Sequence, residues 1–95
     1  MKLTVQLITW NGTKYVPYLF DSLRKQTYRD WELYILDNGS QDGMVEAMNK
    51  ECATLTVPYH ITLLTENIGF AGGHNRLFRE TNSEYILLLN QDMYL

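Results

Sequence analysis

The sequence predicts an α/β fold built on about four mainly parallel strands, and three observations lead there. Short segments rich in β-branched and apolar residues alternate with segments whose apolar residues recur at helical spacing. That alternation runs through the chain, as expected for parallel strands joined by right-handed helical crossovers. The apolar segments give way to polar clusters, Trp10-Asn11, Asp37-Asn38, Glu66-Asn67 and Asn90-Gln91-Asp92. In sheets of this kind ligands bind beyond the carboxyl ends of the strands, where such clusters lie.

The first strand is Leu3 to Thr9, closed by the turn residues Trp10-Asn11-Gly12. Val16, Leu19, Phe20 and Leu23 then follow helical spacing to about Gln26, with Pro17 in the first turn and Thr13 as a candidate cap. Trp31 to Leu36 is the second strand, broken by Asp37-Asn38-Gly39-Ser40. Val45, Met48 and Cys52 mark a second helix from Met44 to about Thr54, and after Pro58 the strand formers of Tyr59 to Leu64 make a third strand. Gly69, Gly72 and Gly73 concentrate backbone freedom, and a third helix is expected to open directly from them over His74 to Glu80. Tyr85 to Leu89 is the fourth strand.

At 95 residues the chain has room for one domain, 1–95, and for a single core. Eight Lys+Arg against 11 Asp+Glu leave a net charge of −3, which supplies no field for a nucleic-acid backbone. The longest unbroken apolar run, Tyr85 to Leu89, is far short of a membrane span, and no apolar leader follows Met1-Lys2, so the expected setting is soluble and cytoplasmic. Cys52 is the only cysteine, which excludes an intrachain disulfide and a thiolate zinc cluster and makes it a small core residue. The sequons at Asn11 and Asn38 are read as turn chemistry.

Few residues offer chemistry. Asp37 ends an apolar strand, where a carboxylate must be hydrogen-bonded to be tolerated. It can accept from the ring N–H of a pyrimidine base, or it can cap its own turn through the Ser40 or Gly39 amide. Asp92 with the Asn90 amide offers hard oxygen ligands to magnesium or manganese, the alternative being a solvated strand-end carboxylate. The glycine run can bring amides to a diphosphate at the start of the third helix, with Arg76 on its first turn as a further phosphate contact; it can equally be a flexible loop. It matches neither G-x-G-x-x-G nor a P-loop. His60 and His74 form no metal pair; His60 reads as structural, and His74 borders the glycines without an assigned role. Tyr15, Tyr18, Phe20, Tyr28 and Trp31 are read as packing.

The order of these segments carries more than any one of them. Val5 to Asn11, then Leu19-Phe20-Asp21-Ser22-Leu23 with Gln26-Thr27-Tyr28, then Leu36 to Gly43, resembles the start of family 2 glycosyltransferases. Glu66 to Arg76 and Tyr85 to Asp92 are similar to two later donor-site blocks of the rhamnosyltransferase-like branch. The resemblance covers nearly the whole chain. It implies the GT-A fold, a three-layer Rossmann-like arrangement with helices on both faces of the sheet, binding a nucleotide-diphosphate sugar. By position, Thr9, Trp10 and Asn11 match the loop that touches the nucleoside, and Asp37 the carboxylate that reads the pyrimidine. Asn67 and Gly69 match the segment near the nucleotide, with Asn75 and Arg76 further along. Asn90-Gln91-Asp92 occupies the D-x-D position, whose last Asp meets the divalent metal and whose first residue lies near ribose and metal. Asn90 in place of the first Asp removes a negative charge and weakens such a site.

The function this implies is transfer of a sugar from a UDP- or dTDP-sugar to an acceptor hydroxyl with inversion, in bacterial cell-surface polysaccharide synthesis. Family members continue past D-x-D into an acceptor half with the catalytic base, whereas this sequence has three residues after Asp92. On its own the segment is expected to bind nucleotide weakly at best and not to transfer sugar. A non-catalytic nucleotide-binding module, self-associating through an uncovered sheet, is the alternative. A nucleotidyltransferase is disfavoured because no basic glycine-rich loop follows the first strand.

Overall fold

Period-two alternation on the strands and helical stripes between them sort the apolar residues into two layers about one sheet. In the computed structural model, which describes residues 2–92, the strands are β1 (Leu3–Thr9), β2 (Trp31–Asp37), β3 (Tyr59–Leu63) and β4 (Tyr85–Asn90). They form one four-stranded sheet in the order β3-β2-β1-β4 with every pairing parallel. A 3-10 turn, Thr13–Tyr15, leads into α1 (Val16–Arg24); α2 (Met44–Cys52) and α3 (Gly69–Phe78) make the other crossovers.

The strand order explains the layers. From β1 to β3 the chain steps one way across the sheet, and right-handed crossovers keep α1 and α2 on one face. From β3 it returns past β2 and β1 to place β4, so α3 falls on the opposite face. The first face holds the larger core, in which Val5, Leu7, Leu33, Ile35 and Leu89 meet Leu19, Phe20 and Leu23 of α1 and Met44, Met48 and Cys52 of α2. The second holds Ile8, Leu36 and Leu77, flanked by Tyr34 and Leu64. The expected α/β architecture, with a parallel sheet and helices on both faces, is the one found.

The third helix departs from expectation. It starts at Gly69 rather than His74, so the glycines form its opening turns instead of a loop before it. Helix propensity argues against this, since each glycine costs up to about 1 kcal/mol relative to alanine. Packing decides otherwise, because a Cβ on Gly73 would stand 2.8 Å from the Ile8 Cδ1 atom. Glycine there lets α3 lie close against β1. Arg76 accordingly sits in the last turn of α3, not the first, facing Glu80 at 4.0 Å. Nor does Thr13 cap α1: it begins the 3-10 turn, and its hydroxyl donates to the Asp42 carbonyl at 2.9 Å. Of the aromatics read as packing, Phe20 and Trp31 are buried, while Tyr18 and Tyr28 are exposed.

Candidate donor site

Because β4 lies beside β1 on the side away from β2, the crossover direction reverses between β1 and β4. Such a reversal leaves a crevice at the carboxyl ends of the two strands. A cleft of about 240 Å³ opens there, lined by Ile8, Thr9 and Trp10 from β1 and its loop, Asn38 after β2, Asn67, Gly69 and Phe70 at the entry to α3, and Asn90 and Gln91 after β4. The four polar clusters read from the sequence thus converge on one rim. Asn90 ends β4 beside Ile8, while Asp37 pairs with Thr9 on the other side of β1, roughly two strand spacings or about 10 Å across.

Asp37 is the buried polar anchor of this rim. Its Oδ1 accepts the Thr9 hydroxyl and the Ser40 hydroxyl, each at 2.6 Å, and its Oδ2 accepts the Ser40 N–H at 2.8 Å. The turn-capping role expected of this residue is therefore present. A carboxylate offers about four lone-pair sites, two per oxygen. Three are taken, and the one left is on Oδ2.

The loops are held by side chains that hydrogen-bond to backbone. Asn11, whose φ of 44° is left-handed, receives the Gln41 N–H on its Oδ1 at 2.8 Å while its own N–H donates to the Ser40 Oγ. Asp42 accepts the Thr13 N–H and the Met44 N–H, each at 3.1 Å. Burial acts to raise its pKa, but the hydrogen bonds from Thr13 and Met44 prevail and hold the carboxyl below its usual value. The Asn38 side chain accepts the Ile68 N–H at 3.1 Å, and its amide donates to the Gly69 carbonyl, tying the start of α3 to the end of β2. Asn67 Oδ1 accepts the Gly69 N–H at 2.6 Å. Gln91 reaches back to the loop after β1 with both ends of its carboxamide, accepting the Trp10 N–H at 2.9 Å and donating to the Trp10 carbonyl at 3.0 Å.

Of the sequence-derived candidates, Thr9, Trp10, Asn67, Gly69 and Asn90 line the cleft. Asp37 is one strand over and joined to it through Thr9. Asn11 serves the neighbouring loop, and Asp92 is exposed on the turn after β4. Asn75 and Arg76 lie further along α3 and do not line the cleft. His74 is buried, with Nδ1 3.0 Å from the Gln6 Oε1, and burial lowers its pKa. His60 is exposed on β3 beside Tyr34. Cys52 is in the core as expected, its thiol pushed up to about 11 by burial.

Among the described residues no basic side chain lines the cleft. Among the described residues no cluster of three or more His, Cys, Asp or Glu could hold a metal by itself. The oxygen ligands of Asn90 and Asp92 fit a magnesium- or manganese-like ion only as a minority of its shell. That is how such ions bind when substrate phosphates and water supply the rest.

The family model described as glycosyl transferase family 2 matches residues 4–95. The chain belongs to this family. A teichoic acid poly(glycerol phosphate) polymerase from Staphylococcus epidermidis is 26% identical over 91 residues, a stretch covering 96% of this chain and 13% of that protein. The mannosyltransferase PcManGT from Pyrobaculum calidifontis, in complex with GDP-Man and Mn2+, superposes with a TM-score of 0.91 at 25% identity, over 98% of this chain and 28% of that one. TarS 1-349 from Staphylococcus aureus, in complex with UDP-GlcNAc, gives 0.88 at 26% identity, over 99% and 27%. The α/β sheet is thus that of GT-A glycosyltransferases, and the chain spans under a third of each of these relatives.

Two residues that shape this family 2 site were not singled out by sequence reasoning. Asn38 and Gln91 act through backbone partners far away in the chain, and a single sequence carries no sign of such pairings. Gly12 held the one available hint, since a glycine beside a functional loop marks a close approach.

Proposed function

We propose that this chain forms the nucleotide-sugar-binding part of a family 2 glycosyltransferase that uses a UDP- or dTDP-sugar in bacterial cell-surface polysaccharide synthesis. The observation that carries this reading is the cleft between β1 and β4, where strand-end loops from both halves of the sheet meet. The polymerase and TarS relatives, one named for a teichoic acid and the other solved with a UDP-sugar, support the substrate class and the setting.

The base is assigned to the β1–β2 side of the rim and the diphosphate to the cleft. The single acceptor left on the Asp37 Oδ2 suits the one ring N–H of uracil or thymine. A guanine edge offers two adjacent donors and calls for both carboxylate oxygens, but the Asp37 Oδ1 is already engaged twice. Trp10, 51% exposed at the lip, supplies a flat apolar surface for the nucleoside. Asn67 and Gly69 border the diphosphate, with Asn75 and Arg76 further out.

Asn90 and Asp92 would hold a divalent ion against that diphosphate. When bound, such an ion supplies positive charge to the leaving group, which matters in a cleft lined by no cation. Transfer with inversion makes a bond from the acceptor oxygen to the anomeric carbon and breaks the bond from that carbon to the diphosphate. The hydroxyl proton goes to a carboxylate, which the resemblance to family members assigns to an acceptor half. On this reading the described residues contribute donor binding. The rhamnosyl branch rests on the two sequence blocks alone, and the relatives named above carry other sugars in their names.

The test is titration of the 95-residue chain with UDP, dTDP and GDP to millimolar concentration, followed by amide resonances. Weak shifts at Thr9, Trp10 and Asn67 with UDP or dTDP are the expected result, and shifts confined to residues away from this rim, or equal shifts with GDP, refute the reading. A second reading, self-association, is favoured by one observation: edge strand β4 exposes Tyr85, Leu87 and Leu88. Light scattering separates the two, because a monomer at high concentration excludes it.

A further inference from the structure

The middle residue of the Asn90-Gln91-Asp92 turn does what neither neighbour does. Its carboxamide closes a two-point bridge onto one backbone unit, with Oε1 taking the Trp10 N–H and Nε2 giving to the Trp10 carbonyl. The Trp10 N–H and carbonyl are thus both engaged, as those of a residue facing its partner in a strand ladder are, and the contact of β1 with β4 is extended beyond Ile8↔Asn90, the last pair of their parallel ladder. The carboxamide lies in the space beside Gly12, where a Cβ would stand 2.5 Å from the Gln91 Cδ, so glycine there lets the bridge form without displacing the amide. Trp10 thus hangs from the turn that carries Asp92.

We propose that Gln91 is a positioning residue which locks the loop after β1 to the turn after β4, so that the nucleoside-contacting and metal-contacting halves of the cleft act as one unit. The inference rests on the donor-site reading above and adds a coupling to it. Two sites joined through a rigid element share a coupling free energy, and each ligand then raises the affinity for the other. With the bridge intact, magnesium held at Asp92 and the nucleoside resting on Trp10 meet a preformed geometry. Without it, the loop is ordered anew each time a nucleotide binds.

Gln91→Met tests this, because it keeps much of the side-chain length and bulk while removing both hydrogen-bonding groups. The first measurement needs no ligand: amide hydrogen exchange at Trp10 in the 95-residue chain. Loss of one hydrogen bond's net worth corresponds to about a tenfold change. Exchange at Trp10 is expected to quicken by about tenfold in the variant, while exchange at Leu7, in the core of β1, stays unchanged. The second measurement is UDP affinity with and without magnesium. Magnesium tightens UDP binding to the unaltered chain, and in Gln91→Met that enhancement falls toward one.

Gln91→Glu gives an independent arm. It retains the acceptor for the Trp10 N–H but, when ionised, sets a carboxylate against the Trp10 carbonyl, so at neutral pH it keeps one half of the bridge and loses the other, and its effect is expected to be smaller than that of the methionine variant. Unchanged exchange at Trp10 in both variants overturns the lock. Faster exchange with magnesium enhancement intact overturns the coupling. If UDP fails to bind the unaltered chain at any magnesium concentration, the donor-site reading itself fails and takes the coupling with it.

Discussion

Asp37 offers the sharpest separation of structure from recognition, because one carboxylate is asked to do both. Asp37→Ala leaves the Thr9 hydroxyl, the Ser40 hydroxyl and the Ser40 N–H without the carboxylate they now share, in a place where Asp37 is only 2% exposed. A buried group stripped of its partner costs about 1–3 kcal/mol. Three such groups, partly relieved by water entering at the rim, amount to about 2–4 kcal/mol. For a domain of this size each kcal/mol lowers Tm by about 4–8 °C, so the alanine variant should melt about 10–25 °C early.

Asp37→Asn behaves differently. Its amide oxygen can still accept the Ser40 N–H, and its NH2 can turn to the two hydroxyls, which are free to become acceptors. Stability then falls by only about 1 kcal/mol, the difference between charge-assisted and neutral hydrogen bonds. The lone pair facing the base survives but without its charge, which should weaken UDP binding about five- to tenfold. Thermal melting by circular dichroism reads the first effect, and UDP titration at a temperature where both proteins are folded reads the second. An asparagine variant that binds UDP as tightly as the unaltered chain refutes the base-reading role. An alanine variant that melts unchanged refutes the account of the turn.

Three further outcomes follow from the same structure. Leu89→Ala empties a fully buried position between the sheet and α1, at a cost of about 3–5 kcal/mol, and a scan should show Tm lowered by more than 10 °C. His74 is held below its ordinary pKa by burial, so the unfolded chain takes up the proton first on acidification. Stability conferred by the neutral ring is complete above about pH 6.5 and declines below it; His74→Gln should flatten this decline in melts run between about pH 7 and 5.5. Asp92→Asn should abolish the magnesium dependence of UDP binding while leaving amide exchange at Trp10 unaltered, because the Gln91 bridge does not involve the carboxylate.

What could be read in advance followed the physics of local pattern. Strand positions were legible because short β-branched and apolar runs end at polar clusters, and α1 because its stripe is regular. Asp37 stood out as a carboxylate where an apolar strand stops. The start of α3 was not legible, since Gly69, Gly72 and Gly73 read locally as loop formers and the close approach of Gly73 to Ile8 on β1 is a tertiary contact that no local pattern shows. Arg76 moved to the far end of the helix for the same reason. Gln91 and Asn38 were read only as members of polar clusters, because their partners, Trp10 and the Ile68-Gly69 backbone, are matched by the crossover topology and by no spacing in the chain.

The register of β4 has a kinetic consequence. Leu3 pairs with Tyr85, so the outermost ladder joins residues 82 positions apart, the most distant closure in the sheet. Contacts of such long separation are slow to form, because the entropy of the loop is lost before any pairing repays it. While the polypeptide is being synthesised, β1, β2 and β3 can assemble first, and the crevice can exist only once β4 has docked. Any ligand of that crevice would then act late, trapping the four-stranded sheet, and the order in which protection from exchange appears during refolding should place the β1–β4 seam last.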